Sequence, residues 1–339
     1  MPELIPLEIP AVWRGAELMS RDDWTLCLTE KHLEELDSAL QSTFDTPCDS
    51  IGPHNFVLPT LGAALLRVQN DLENGSGATM IRGFPSGQYS QDQVERIFFG
   101  MMSHVGTAVS QSAKGERMFH VRDEGFGEND PKARGPNTSK GLSFHTDRCD
   151  VISFLCLRQA KSGGANQIVS SPKLYNEILQ RRPDLLAELV QPFYYKRHNV
   201  DTANQRSYCL QPIFSIYDGH FAANLLRVLI DRAYAMPDVP DMTLQQREAL
   251  DFVQEVAEDE SIHVTFRQVE GDILLLNNWL TLHRRSAFED HQQLELRRHL
   301  LRIWLSVPNS RPLAPAFEAN YGATAAGALR GGMRPQTNS

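Results

Sequence analysis

The chain has 339 residues, 41% hydrophobic and 22% charged, an ordinary globular composition and enough length for one large domain or two small ones. That excludes a disordered polyelectrolyte, a collagen-like rod and a disulfide-stapled miniprotein. With 33 Lys plus Arg against 42 Asp plus Glu, the formal charge is −9, which repels a phosphate backbone, and the basic runs at 196–198 and 297–299 are too short for a nucleic-acid footprint.

The first 18 residues lack the basic start and apolar stretch of a secretion signal, and no run approaches the roughly 20 apolar residues of a membrane span. Five cysteines, an odd number without CxxC spacing, read as reduced thiols. The expectation is a cytoplasmic protein that binds neither membrane nor nucleic acid. Ser20 with Asp23 has the form of a capping box, and Leu33, Leu36 and Leu40 fall at helical spacing. Residues 78–84 read as a strand closed by Gly83. Ser90 caps a helix whose apolar face is Val94, Ile97, Phe98 and Met101. From 107 to 141 glycine, serine, asparagine and charge dominate, the composition of a lid or substrate loop. Strands are predicted at 151–157, at 166–170 after the Gly163-Gly164 turn, and across 208–221 around the hairpin signal Asp218-Gly219. Further strands fall at 263–266, 273–276 and 299–306, with helices at 172–190 and from Thr243. This pattern predicts a mainly β core with helices packed outside. Residues 1–77 form a helical or irregular region on that core, 78–310 the core domain with helical insertions, and 311–339 a Gly/Ala-rich tail that frays after about Glu318.

The most chemically loaded stretch is Phe144-His145-Thr146-Asp147. Alternate residues of a strand share a face, so His145 and Asp147 present an imidazole and a carboxylate side by side. A half-buried histidine beside a surface aspartate is the ordinary alternative. A buried strand after Gly271-Asp272 leads to His283, at a pocket or at its rim. Two histidines and one carboxylate occupy one face of a metal and leave the rest open, as in non-haem Fe(II) oxygenases. No four-ligand set suited to structural zinc is visible. In 297–305, alternation puts Arg298, Leu300, Arg302 and Trp304 on one face. Arginines suit a solvated strand, yet the leucine and tryptophan argue for burial. Buried guanidinium groups require an anionic partner, such as a small dicarboxylate.

Over roughly 78–308, in order and spacing, the chain resembles the TauD/TfdA family of Fe(II)- and 2-oxoglutarate-dependent dioxygenases. The residues that carry the resemblance are the HxD of His145 and Asp147, Ser162-Gly163-Gly164 before a strand, and Gly271-Asp272 opening the strand to His283. Ala287-Phe288-Glu289-Asp290 and Arg297-Arg298-His299-Leu300-Leu301-Arg302 complete the set. The resemblance implies a double-stranded β-helix (jelly roll, cupin-like) core with flanking helices. It implies Fe(2+) held by His145, Asp147 and His283, with 2-oxoglutarate and O2 as cosubstrates. Arg302 corresponds to the family's cosubstrate arginine and Arg298 to a second arginine on the same ligand. Asn166 stands where the family commonly has a threonine that helps hold the cosubstrate carboxylate. The implied reaction oxidises an unactivated C–H bond, hydroxylation by default, with release of succinate and CO2. Asp147 excludes halogenation, which needs a small residue at that position.

The expected substrate is a small organic molecule bearing a carboxylate or sulfonate, with Arg122, Phe144 and Asn278 as candidate contacts. Arg122 also suits a loop salt bridge with Asp123 or Glu124, and Phe144 suits core packing. Tyr194 and Tyr195 read as core or partner surface, and Cys149 as a small buried hydrophobe. His104, His120, His198 and His299 read as structural. Desaturation or oxidative cyclisation of an amino-acid-like metabolite is the alternative outcome of the same chemistry, and a jelly-roll small-molecule sensor is the non-enzymatic alternative. Assembly as a homodimer or homotetramer is compatible with the sequence.

Overall fold

A computed structural model describes residues 4–112, 114–126, 135–197 and 206–333. The strand His299–Ser306 shows how the chain is layered. All eight of its residues are buried, as in a strand covered on both faces. Leu301, Ile303 and Leu305 join an apolar cluster with Leu36, Leu65, Ile97, Phe98 and Met101 from the helices Glu30–Ser42, Leu61–Asn74 and Gln91–Ser103. Leu300, Arg302 and Trp304 point the other way, because alternate side chains leave a strand on opposite faces.

That strand belongs to a seven-stranded sheet ordered Thr25–Cys27, Ala78–Arg82, Ile273–Asn277, Val151–Arg158, His299–Ser306 and Thr107–Val109, with Met118–Val121 also paired to His299–Ser306. Thr25–Cys27 runs parallel to Ala78–Arg82; the other pairs are antiparallel. A second, smaller sheet holds Val264–Phe266, Asn166–Ser170 and Thr281–Arg285, and a bridge from His283 to His145 prolongs it. Ile168 and Val264 from the small sheet meet Ile152, Leu274, Leu276 and Trp304 from the large one in a single apolar cluster. The sheets therefore face each other. Val169 and Leu282, on the outer side of the small sheet, pack against the helices Ser171–Arg181, Pro183–Leu189 and Leu244–Glu258.

Several local expectations hold. Ser90 and Thr243 open their helices, each side chain accepting the amide hydrogen three residues on. Asp218 (φ 50°) and Gly219 (φ 75°) turn the hairpin between Phe214–Tyr217 and His220–Ala223. Others fail. More residues lie in helices than in strands, so the chain is mixed α/β rather than mainly β. The outer faces of both sheets are apolar, and only packed helices can bury them. Ser20 ends the short helix Gly15–Met19 instead of starting one; Asp23 pairs with Arg21 at 2.7 Å. Pro183 divides the expected 172–190 helix, since a proline disfavours helical geometry at the residue before it. Two parts of the expected 107–141 loop, Thr107–Val109 and Met118–Val121, join the large sheet; residues 127–134 lie outside the described ones. The tail does not fray before Met333. Phe317 and Tyr321 pack on Trp279, and the buried Arg330 donates to Asp150 at 2.7 Å. Among the described residues, no helix is long and apolar enough to cross a membrane.

Candidate active site

A cavity of about 770 Å³ is lined by residues of both sheets. The bridge between His145 and His283 sets two imidazoles side by side: each backbone N–H donates to the other's carbonyl at 3.0 Å, and the ring centres are 4.5 Å apart. Asp147 brings its carboxylate to the same place, with Oδ2 3.6 Å from His283 Nε2. One donor atom from each of the three lies within 4.8 Å of the others. His145 Nδ1 donates to the Ser143 carbonyl at 2.9 Å, which leaves Nε2 to carry the lone pair.

Burial, and then the neighbouring His283, push the His145 imidazolium down to about 4. The ring is thus neutral at pH 7, the form that ligates a metal. Burial by itself would raise the Asp147 carboxyl, but Arg302, His283 and His145 outweigh it and hold the group well below the ordinary carboxylate range. Asp147 Oδ2 is buried, and among the described residues its nearest polar neighbours, His283 Nε2 at 3.6 Å and Arg302 Nη1 at 3.7 Å, stand beyond hydrogen-bond distance. That leaves its lone pairs open to a divalent cation. Two imidazoles with one carboxylate and an open side suit Fe(II).

The two arginines differ in how they are partnered. Arg302 donates from Nε to Gln111 Oε1 at 2.7 Å, and its Nη1 lies 3.7 Å from Asp147 Oδ2. Arg298 is 2% exposed, and its Nε and Nη1 have no hydrogen-bond partner among the described residues. Burial pushes Arg298 down to about 10, so it stays protonated at neutral pH. Gly164 leaves room for it: at φ +67° a β-carbon there would stand 3.3 Å from Arg298 Nε. Asn166 lines the cavity, its side-chain amide donating to Gln268 Oε1 at 3.1 Å.

Of the candidate substrate contacts, only Phe144 lines the cavity, with the Arg284 guanidinium 4.4 Å from its ring centre. Asn278 is buried behind the site. Its side-chain oxygen accepts the Asp147 N–H at 3.0 Å and its amide nitrogen donates to the buried Cys149 Sγ at 3.1 Å, so it fastens the Asp147 backbone, and it is not among the lining residues. Arg122 is exposed, 4.0 Å from Glu124, as the salt-bridge alternative has it, and is not among the lining residues. Tyr195, read from sequence as core or surface, lines the cavity and donates to the Asn224 carbonyl at 2.8 Å. His104 bonds the Phe56 carbonyl, and His120 pairs with His299 at 2.9 Å. His198 lies outside the described residues. The sequence reading missed Asn320, Tyr321 and Met333 of the tail, which complete the cavity wall. Nothing in their local pattern signals a pocket.

Facing sheets with an open-sided set of two histidines and a carboxylate between them define the mononuclear non-haem oxygenase class. Within that class, the chain belongs to the taurine catabolism dioxygenase TauD, TfdA family, whose profile matches residues 40–304. FR-33289 synthase of Streptomyces rubellomurinus is 29% identical over 312 residues, covering 90% of this chain and 92% of the relative. The taurine hydroxylase-like protein SAT17 of Stachybotrys chartarum is 30% identical over 306 residues, covering 86% and 77%. Among solved structures, an asparagine oxygenase in complex with Fe(II), 2S,3S-3-hydroxyasparagine and succinate superposes with a TM-score of 0.63 at 16% identity, over 84% of this chain and 93% of that one. The non-heme iron oxygenase OrfP in complex with Fe and alpha-ketoglutaric acid gives 0.56 at 16% identity, over 90% and 99%. At such identities the structural likeness establishes the fold.

Proposed function

We propose that this chain is an Fe(II)- and 2-oxoglutarate-dependent dioxygenase that oxidises, by default hydroxylates, a C–H bond of a small anionic molecule, and that its facing sheets form a double-stranded β-helix. The observation that carries this reading is the convergence of donor atoms from His145, Asp147 and His283 within 4.8 Å of one another at a buried carboxylate oxygen. Bound iron with 2-oxoglutarate and O2 supplies the oxidising chemistry, with succinate and CO2 as coproducts. The chain's own residues bind and orient. His145 offers a neutral nitrogen whose tautomer Ser143 sets, Asp147 offers the charge, and Asn278 holds the Asp147 backbone in place.

The family resemblance puts Arg302 first as the cosubstrate arginine. The partnering favours Arg298 instead, since its guanidinium has no ion pair among the described residues, while Arg302 already answers Gln111 and Asp147. Arg302, beside a metal ligand, is the better placed of the two for an anionic group of the substrate. Lys196 and Arg232 also line the cavity, and the carboxylates that line it among the described residues are those of Asp147 and Asp231. In a chain of net charge −9 such a concentration of positive charge selects anions. Hydroxylation is further supported by the solved neighbours, whose structures hold 3-hydroxyasparagine and (3S)-hydroxy-L-Arg.

The test is anaerobic titration with Fe(II) and 2-oxoglutarate. The wild type should develop a weak visible charge-transfer band, and His145→Ala should lose both the band and stoichiometric iron. A colourless wild type that binds no iron would end the reading.

A further inference from the structure

Two residues past His283 on the same strand stands Arg285. Alternation places both side chains on one face of the strand Thr281–Arg285, about 7 Å apart along it. Cross-strand register adds two more residues to that face, because His283 lies opposite Ile168 and Arg285 opposite Asn166. The cavity-lining row therefore runs from a metal-ligand candidate directly to Asn166 and Arg285.

Arg285 is 6% exposed and, like Arg298, lines the cavity. The two guanidiniums lie against one aromatic ring: the Arg285 guanidinium is 4.6 Å and that of Arg298 5.2 Å from the centre of Phe288. Two buried like charges this close repel each other. Neither has an ion-pair partner among the described residues. The carboxylates that act on them do so without a direct ion pair, Asp290 on both and Asp123 on Arg285; Asp290 Oδ1 accepts the backbone N–H of Arg298, and its Oδ2 has no hydrogen-bond partner among the described residues. Arg285 is held by neutral groups, donating to the backbone carbonyls of Lys140 and Ser286. Those carbonyls orient the fork without cancelling its charge. A protein that buries two unpaired cations beside one another has arranged them for an anion that arrives later.

We propose that Arg285 joins Arg298 and Asn166 to form a two-guanidinium seat for the distal carboxylate of 2-oxoglutarate, so that Arg285 selects a keto-diacid over a keto-monoacid. The inference rests on the dioxygenase reading above. It assigns to Arg285 a role in cosubstrate choice that the iron ligands do not determine. The far carboxylate stands at the opposite end of a two-methylene spacer from the chelating keto-acid group. Arg285, one strand repeat beyond His283, is displaced from the metal ligands in that sense, whereas Arg302 lies beside Asp147 itself.

The experiment compares two five-carbon ligands, 2-oxoglutarate and 2-oxovalerate, which differ only in the distal carboxylate. Each is titrated anaerobically into the Fe(II)-loaded wild type, Arg285→Met and Arg285→Lys, with binding read from the charge-transfer band and by calorimetry. The wild type should prefer 2-oxoglutarate. Arg285→Met should bind it roughly 10–100-fold more weakly, the span of a charge-assisted hydrogen bond, while 2-oxovalerate affinity moves less than about threefold. If Arg285→Met does not fold, Arg285→Lys decides: charge is kept and the bidentate fork is lost. That variant should weaken 2-oxoglutarate several-fold and spare 2-oxovalerate. Equal loss for both ligands, or no loss for 2-oxoglutarate, overturns the seat. A wild type that binds neither ligand overturns the dioxygenase reading instead, which separates the two failures.

Discussion

Replacing Arg330 with methionine tests whether the C-terminal segment belongs to the folded core. Asp150, three residues after Asp147, is 1% exposed and accepts from Arg330 Nε at 2.7 Å. The rest of its carboxylate is held by Trp279 Nε1 at 2.9 Å, Val307 N at 3.1 Å and Ser306 Oγ at 3.3 Å. Removing one partner of a buried ion pair costs about 3–5 kcal/mol, mostly by stranding the other charge. Three surviving donors partly compensate Asp150, and methionine keeps much of the stem volume over Trp279, so the loss should sit near the lower end, about 3 kcal/mol. Urea unfolding of the metal-free protein, followed by circular dichroism, measures it. The double variant Asp150→Asn/Arg330→Met removes the stranded charge and should recover at least ~1 kcal/mol relative to Arg330→Met. A single variant within ~1 kcal/mol of wild type, or a double variant less stable than the single one, would show that the pair does not behave as a desolvated ion pair.

Two further outcomes follow from the site and its surroundings. Asn278→Ala strips the acceptor from the Asp147 N–H, so Fe(II) affinity should fall roughly 10–100-fold, the usual effect of losing an outer partner of a ligand. Competition with a metal-sensitive dye reads it, and unchanged affinity would remove Asn278 from the positioning of Asp147. Stability should also depend on pH through His299, whose imidazolium is pushed down to about 4 by burial and then by His120. An unfolded histidine titrates near 6.5. Between those values the unfolded chain holds a proton that the folded chain refuses, so this contribution is complete above about pH 6.5 and is lost as pH falls toward 4. The urea midpoint should drop from pH 7 to pH 5, and His299→Gln should flatten the drop; a His299→Gln variant with the wild-type slope would contradict the linkage.

Local physics made the strands and several helix starts legible in the sequence. Ser90-Gln93 and Thr243-Gln246 each reciprocate one side-chain bond within four residues, and Asp218-Gly219 supplies the positive φ that a tight hairpin turn demands. The balance of helix and strand was harder to read, because it depends on how much apolar sheet surface needs covering. Leu301, Ile303 and Leu305 look like any buried strand; only the assembled sheet shows that the helices of the first hundred residues are what cover them. His145, Asp147 and His283 were legible for a different reason. Their residue types are expensive to bury, and period-two spacing singled out the first two, although the strand expected there is only the isolated bridge of His145 to His283.

What sequence alone could not rank was Arg298 against Arg302, since alternation treats them alike. They differ in partners that lie far off in sequence: Gln111, 191 residues away, takes the Arg302 Nε, whereas Arg298 Nε and Nη1 have no hydrogen-bond partner among the described residues. The tail is the clearest instance of the same limit. Gly331 and Gly332 read as a frayed end because glycine favours disorder in isolation. Their lack of side chains is what lets the backbone lie against the chain just after Asp147: a β-carbon on Gly331 would stand 2.7 Å from the Arg148 carbonyl, and the Gly332 N–H donates to that same carbonyl at 2.8 Å. Gly331 at φ +79° and Gly332 at φ +69° are conformations that few other residues adopt. A glycine pair that costs order locally thus permits a close approach at long range, and that approach seats Tyr321 and Met333 in the cavity wall.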